Sequence, residues 1–350
     1  MRPLISICIP TFNRAACLEG LFKNLERIKS EHGSKMEICI SNNHSTDATI
    51  HVIMKWCSRL ELVFVTQASN IGATLNVIAV TSLATGKWLM LLGDDDLLIQ
   101  VNFSKLLNFL VSVNEEDWVV VGIAGVTGEE HLLGNLTPGQ FESKVFQKTV
   151  LHTGLQRFGF IGMHIYPSSL QETFAGLSIS QSQSWPHLAV LLRHIQTGRV
   201  QVFPLPVVGQ AAGGVELFWN IGDWVLINLK KLNIIYEAKI LDGRFHCFFD
   251  ALFLRELYSL QSGKNLILWK ILDPDNFHKY AYHEHAMRYR LLGLIRLLAI
   301  VHVLFLLLLY ITPSALLRFL LRLIGKQRIV DSYIYEREMK NNFDGVKRGL

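Results

Sequence analysis

Between Leu4 and Ile123, short apolar runs alternate with stretches of helical spacing, and this alternation constrains the fold more than any other feature of the chain. Leu4–Ile9 is a β-branched run stopped by Pro10, after which Leu18, Leu21, Phe22, Leu25 and Ile28 recur at three- and four-residue steps. Met36–Ser41 and Leu60–Val65 read as the next strands, with a helix through Ile50, Ile53, Met54 and Cys57 between them. A helix from Ala73 to Leu83, a strand at Trp88–Leu92, a helix around Phe103–Val113 and a strand at Trp118–Ile123 continue the series. Such a series predicts βαβ units: an α/β fold with a mostly parallel sheet and helices on both faces. Ligands of these sheets lie beyond the carboxyl ends of the strands. That rule selects four loops: Pro10–Arg14, Asn42–Asp47, Gln67–Thr74 and Gly93–Asp96.

From Thr127 to about Gly214 the regularity fades and Gly, Ser and Gln rise, which predicts strands and loops beside the first sheet and one helix at Trp185–Ile195. Ile221–Leu232 and Phe245–Leu260 read as helical. Three segments are therefore expected: a ligand-binding half at 1–125, a second half with a helical extension at 126–285, and a basic, hydrophobic region at 286–350. Half of the 350 residues are apolar, 18% are charged and mean hydropathy is +0.28, so disorder and low complexity are excluded. The net charge of +5 averages two unlike parts. Eleven Lys and Arg stand against four Asp and Glu from Ala286 to Leu350, a balance of +7, which leaves −2 for the rest. A body without basic excess excludes nucleic-acid binding as the main task. The five cysteines form no C-x-x-C pair and read as reduced thiols, and Leu4–Ile9 is too short for a secretory core.

The strongest chemical signal is Leu92-Gly93-Asp94-Asp95-Asp96. Three successive carboxylates directly after a buried strand repel one another and resist desolvation. A divalent cation, Mg²⁺ or Mn²⁺, relieves both costs, with Asp94 and Asp96 as candidate ligands and substrate phosphates completing the shell. An acidic turn capping the next helix is the alternative; the place at a strand's carboxyl end favours the metal. The other loops carry groups suited to a nucleotide: Pro10, Thr11, Asn13 and Arg14; Asn42 and Asn43; Asn70 with Gly72, whose lack of a side chain permits close backbone approach. Asp94 and Asp95 join this ligand-binding set.

The runs ISICIPTFNR, EICISNNHSTDAT, NIGATLN and GKWLMLLGDDD, in that order, resemble the nucleotide-diphospho-sugar domain of family 2 glycosyltransferases. They are similar to the branch that includes abequosyltransferases of bacterial O-antigen synthesis. The resemblance implies a GT-A fold, a nucleotide-diphospho-sugar donor and inverting transfer. It also implies that Thr11, Asn13 and Arg14 line the nucleotide, that Asp94 approaches the ribose and that Asp96 holds the metal on the diphosphate. Two departures stand out: amides Asn42 and Asn43 where the family often has acids, and Leu75 where a basic residue is common.

Inverting transfer needs a base to take the proton of the attacking hydroxyl. Where the family commonly has an acid at a helix start, Ser182–Leu188 offers His187, with Pro186 at the first turn. Packing or capping is the alternative for His187, and Glu216 and Asp223 are rival bases. Trp219 and Trp224 read as core or as sugar platforms.

Leu297–Leu317 holds 21 residues without formal charge, about 31 Å of helix, near bilayer thickness. Pro313 cuts the unbroken part, Leu297–Thr312, to about 24 Å. Beyond it, Arg318 and Arg322 stand four apart among leucines, which favours a re-entrant or interfacial anchor over a full crossing, with a buried core helix as the alternative. The expected partners are a nucleotide-sugar donor, a polyprenyl-diphosphate-linked glycan acceptor and a membrane surface, with the chain on the cytoplasmic face of the inner membrane. A sugar nucleotidyltransferase is disfavoured because no Gly-rich start with following Lys or Arg appears. A nucleotide-binding scaffold without turnover is kept as the non-enzymatic rival.

Overall fold

The computed structural model describes residues 2–125, 130–131, 138–177, 185–210, 235, 246–257, 266–267, 270–271, 305, 308–309 and 311–323. The chain divides into two compact units, Met1–Glu216 with Lys230–Glu256 and Leu217–Leu229 with Leu257–Leu350.

The first unit opens with β1 (Ile5–Thr11), α1 (Ala15–His32), β2 (Met36–Asn42), α2 (Thr49–Leu60), β3 (Val63–Thr66), α3 (Ala73–Ser82) and β4 (Trp88–Leu91). These four strands run parallel in the order β3-β2-β1-β4. The apolar stripe read from the sequence is the face that α1 buries: Leu18, Leu21, Phe22, Leu25 and Ile28 are all fully buried. That stripe packs with Ile5, Ile7 and Ile9 of β1 and Ile38 and Ile40 of β2 in one continuous core. A fully apolar strand between helical layers is the expected signature of a parallel sheet covered on both faces.

The second half of this unit departs from simple alternation. After β5 (Asp96–Leu98) and α4 (Gln100–Ser112) come β6 (Trp118–Ala124), β7 (Glu130–His131), β8 (Gly139–Phe141), α5 (Ser143–Thr153), β9 (His164–Pro167), α6 (Gln171–Ala175), α7 (Pro186–His194), β10 (Val200–Gln210) and α8 (His246–Leu257). The full order is β3-β2-β1-β4-β9-β6-β10-β5, with β7 on β6 and β8 on β10. Of the later strands, β8 and β10 lie beside the first series, as expected from the sequence, whereas β9 is wedged inside the sheet, antiparallel to both β4 and β6. Its four residues are all buried. Against β9, Trp118 of β6 packs on Tyr166 at a tilt and meets His164 edge-on, at ring separations of 5.5 and 5.6 Å. The result is a mixed α/β sheet.

In the second unit, Ser314–Leu323 forms α9, which starts directly after Pro313. Among the described residues, no helix is long and apolar enough to cross a membrane. Most of Leu297–Thr312, and all of Ile221–Leu232, lie outside the described residues.

Candidate active site

The carboxyl ends of β1, β2 and β4 form one edge, and the expected loops meet there. Thr11 ends β1, and its hydroxyl donates to Asp94 Oδ2 at 2.7 Å. Arg14 Nε lies 3.7 Å from Asp94 Oδ1. Both Asp94 and Asp96 are buried. Burial raises the Asp94 carboxyl to about 6, against the downward pull of the Thr11 hydroxyl and the Arg14 guanidinium. Burial, reinforced by the charges of Asp95 and Asp94, raises Asp96 to about 7. The Asp96 carboxylate also accepts a hydrogen bond from the Gly93 N–H. It folds so closely over Gly93 that a Cβ there would stand 2.5 Å from Oδ2. A side chain at this position would therefore displace the Asp96 carboxylate, a constraint the sequence shows only as the residue before Asp94.

These carboxylates are hard oxygen donors held near neutrality by burial and mutual repulsion, so they fit Mg²⁺ or Mn²⁺. Among the described residues no group of three or more His, Cys, Asp or Glu is arranged to hold a metal ion. A cation at this edge would have one or two carboxylates to bind, with water and phosphate oxygens for its remaining positions.

The neighbouring loops are locked by neutral hydrogen bonds. Asn13 adopts a left-handed conformation, φ 54°. Its N–H donates to Ser45 Oγ at 2.9 Å, and its Oδ1 accepts from Thr46 N–H at 2.8 Å. Asn42 Oδ1 accepts from the hydroxyl and the N–H of Ser45. Asn43 donates to Asn70 Oδ1 and accepts from Ile71 N–H, both at 2.9 Å, and Asn70 Oδ1 also takes the Gly72 N–H. Gly72 itself sits at φ 83°. Asn42 and Asn43 are buried; the Asn42 side chain braces the second loop from within, and that of Asn43 ties it to the third. Pro10, Asn70, Gly72 and Asp95 line the same edge in less buried positions.

The sequence reading missed the hub of this scaffold. Asn76, on the buried face of α3, accepts from Ser41 Oγ at 2.7 Å and donates to Ser41 O at 3.0 Å and Thr11 O at 3.4 Å. Gln67 Nε2 completes it on Ser41 Oγ. A polar residue at an apolar-face position of a predicted helix was the available signal.

His187 is placed differently. It lies on α7 with 2% exposure and donates from Nε2 to Gly159 O at 3.1 Å. Its ring is 5.1 Å from that of His164, which donates from Nε2 to Phe158 O at 2.7 Å and accepts from Trp118 Nε1. Burial pushes His164 down to about 4 and His187 well below the ordinary imidazole range, with His164 adding to the fall at His187. Among the described residues, His187 Nδ1 finds no hydrogen-bond partner. The residue expected as general base thus sits in the interior, with its Nε2–H committed to a backbone carbonyl. The paired imidazoles instead hold successive carbonyls of the 158–163 segment, which leads into β9 alongside the end of β4. Glu216, Asp223, Trp219 and Trp224 lie outside the described residues.

Residues 6–169 match glycosyl transferase family 2. These residues, just under half of the chain, are similar to a family 2 glycosyltransferase domain. Within the chain, 111 residues are 35% identical to abequosyltransferase RfbV of Salmonella typhimurium, covering 31% of this chain and 33% of that protein. The match thus spans about a third of the curated relative. In fold, the chain is similar to Staphylococcus aureus TarS 1–349, with a TM-score of 0.62 at 16% identity over 89% of each chain. It is also similar to the mannosyltransferase PcManGT from Pyrobaculum calidifontis, solved in complex with GDP-Man and Mn²⁺, with a TM-score of 0.51 at 16% identity over 98% of this chain and 88% of that one. The architecture is of the GT-A type.

Proposed function

We propose that the chain transfers a sugar, with inversion, from a nucleotide-diphosphate donor to a polyprenyl-diphosphate-linked glycan during surface polysaccharide synthesis. The reaction would take place at the cytoplasmic face of the inner membrane. The observation that carries this reading is the Asp94–Asp96 pair, buried and raised towards neutral pKa at the carboxyl ends of parallel strands inside a family 2 domain. Support for the donor class comes from the fold relatives, one in complex with UDP-GlcNAc and one with GDP-Man and Mn²⁺. Support for the acceptor class comes from the likeness to an abequosyltransferase.

Asp96, with Asp94, would hold Mg²⁺ or Mn²⁺. When bound, the cation supplies Lewis-acid stabilisation of the departing diphosphate. Thr11 fixes the Asp94 carboxylate, and Arg14 offsets its charge at the edge where a phosphate or ribose would lie. Asn13, Asn70 and Gly72 hold the loops between which the nucleotide would lie. With His187 enclosed, Glu216 and Asp223 are the bases we propose for the acceptor hydroxyl.

A nucleotide-sugar-binding scaffold without turnover is the second reading, favoured by the burial of His187. The test is donor turnover by purified protein with UDP-, GDP-, CDP- and dTDP-sugars, with Mg²⁺ or Mn²⁺ and after chelation. Metal-dependent transfer or donor hydrolysis that Asp96→Asn removes from a folded protein supports the enzyme. Metal-dependent donor binding without any turnover supports the scaffold.

A further inference from the structure

We infer that the second unit docks on an anionic phospholipid surface through an exposed apolar face formed by Leu308, Ile311, Leu316 and Phe319, and that it lies on the bilayer without crossing it. The inference deepens the lipid-linked acceptor proposed above but stands on its own observations. These four side chains are 58%, 73%, 47% and 54% exposed. Large apolar groups at that exposure within twelve residues are unusual in a soluble surface, where they occur singly.

The spacing makes them one face within each helical piece. In α9, about 100° per residue puts Ala315, Leu316 and Phe319 within an arc of about 100°. Leu317, on the opposite side, is buried, so the helix already has an inward face and the exposed arc is its outer one. Thr312 N–H still bonds Leu308 O at 3.0 Å, so Leu308 and Ile311 belong to a last turn before Pro313. Leu316 and Leu317 N–H both return to Pro313 O, at 3.0 and 3.2 Å, which starts the new helix there. Ser314 Oγ donates to Lys270 O at 3.0 Å and ties the start of α9 to its own unit. The break at Pro313 leaves α9 itself ten residues long, about 15 Å, half of a hydrocarbon core. That length suits a helix lying in the interface.

Charge selects the occupant. Arg318 and Arg322 are one turn apart within α9, Lys326 and Arg328 follow, and the stretch from Ala286 carries +7 against −2 for the rest of the chain. An apolar face within a basic segment matches headgroups of negative charge above an acyl layer. A second copy of this chain would bring the same basic segment against itself.

The test is flotation of the full chain with vesicles of phosphatidylcholine alone or containing phosphatidylglycerol. Binding to the anionic vesicles should exceed binding to neutral ones by about tenfold and fall with added salt. The variant Leu316→Glu/Phe319→Glu should lose it with an unchanged melting temperature. In case that variant unfolds, Phe319→Trp offers a second readout: its fluorescence should shift to the blue on adding anionic vesicles. Absence of vesicle binding, an unshifted tryptophan, or a glutamate variant that floats as well as the parent overturns the inference. So does a face whose substitution splits a dimer in size-exclusion chromatography without changing flotation. Flotation needs neither donor nor acceptor, so its failure leaves the transferase reading standing, and loss of transfer leaves the lipid surface standing.

Discussion

The first unit buries two pairs of titratable groups and treats them in opposite ways. At the carboxyl edge of the parallel strands, Asp94 and Asp96 are pushed up to about 6 and about 7 by burial. At the start of β9, His164 and its neighbour His187 are pushed down by the same desolvation. The histidines resolve the conflict internally. Each ring stays neutral and donates one N–H to a backbone carbonyl. Only Asp94 among the carboxylates has a bonded hydroxyl and a guanidinium nearby, and Asp96 gets one backbone N–H and two like charges. Burial alone therefore does not mark a functional group; burial that leaves charge uncompensated at a ligand-binding edge does.

The comparison breaks most easily at Asp96. Asp96→Asn should lower metal-dependent transfer by about 100-fold or more, as expected when a carboxylate that holds the metal is lost. Steady-state rates at saturating donor read this directly. His187→Gln should keep most of that activity, because its amide can still donate to Gly159 O; a loss matching Asp96→Asn would restore the histidine as base. The cost should fall on stability instead. His164→Ala should destabilise by about 2–4 kcal/mol, through a cavity and an orphaned Trp118 N–H, measured by denaturant unfolding.

The pairs should also respond oppositely to pH. A carboxylate raised in the folded state binds its proton more tightly there, so metal-free stability falls as pH rises from about 4 through about 7. At pH 8 without metal, Asp96→Asn should therefore be more stable than the parent by about 1–3 kcal/mol, and at pH 4 the two should converge. An imidazole lowered in the folded state has the reverse sign. Its contribution is complete above pH 6.5 and is lost as pH falls towards about 4. Thermal unfolding across pH 4–8 separates the two. The smallest effect belongs to the loop scaffold: Asn43→Asp keeps the acceptor for Ile71 N–H but loses the donor to Asn70, and should cost about 1 kcal/mol.

The same contrast explains what the sequence made legible. β1 to β4 and their loops could be read because a parallel strand covered on both faces is a continuous apolar run, and its polar exit loop follows at once. β9 could not. His164–Pro167 is four residues long, carries a histidine and a proline, and enters the sheet from a distant part of the chain, so no local period marks it. Nor could the fate of His187 be read, since Pro186 at a helix start fits a catalytic or a buried histidine equally well. Asn42 and Asn43 were legible as polar residues in the right loop, whereas their mutual locking with Ser45, Asn70 and Ile71 depends on contacts that only folding creates.

The most direct measurement of the central claim is Mn²⁺ affinity in the presence of nucleoside diphosphate, followed by calorimetry from pH 5.5 to 8 in the parent and in Asp96→Asn. Competition between cation and proton for the raised carboxylates predicts binding that tightens by about tenfold per pH unit below about 7 and then levels off. In Asp96→Asn it should be weak throughout. Affinity that ignores pH and is equal in both proteins, or no Mn²⁺ binding at all, would contradict it.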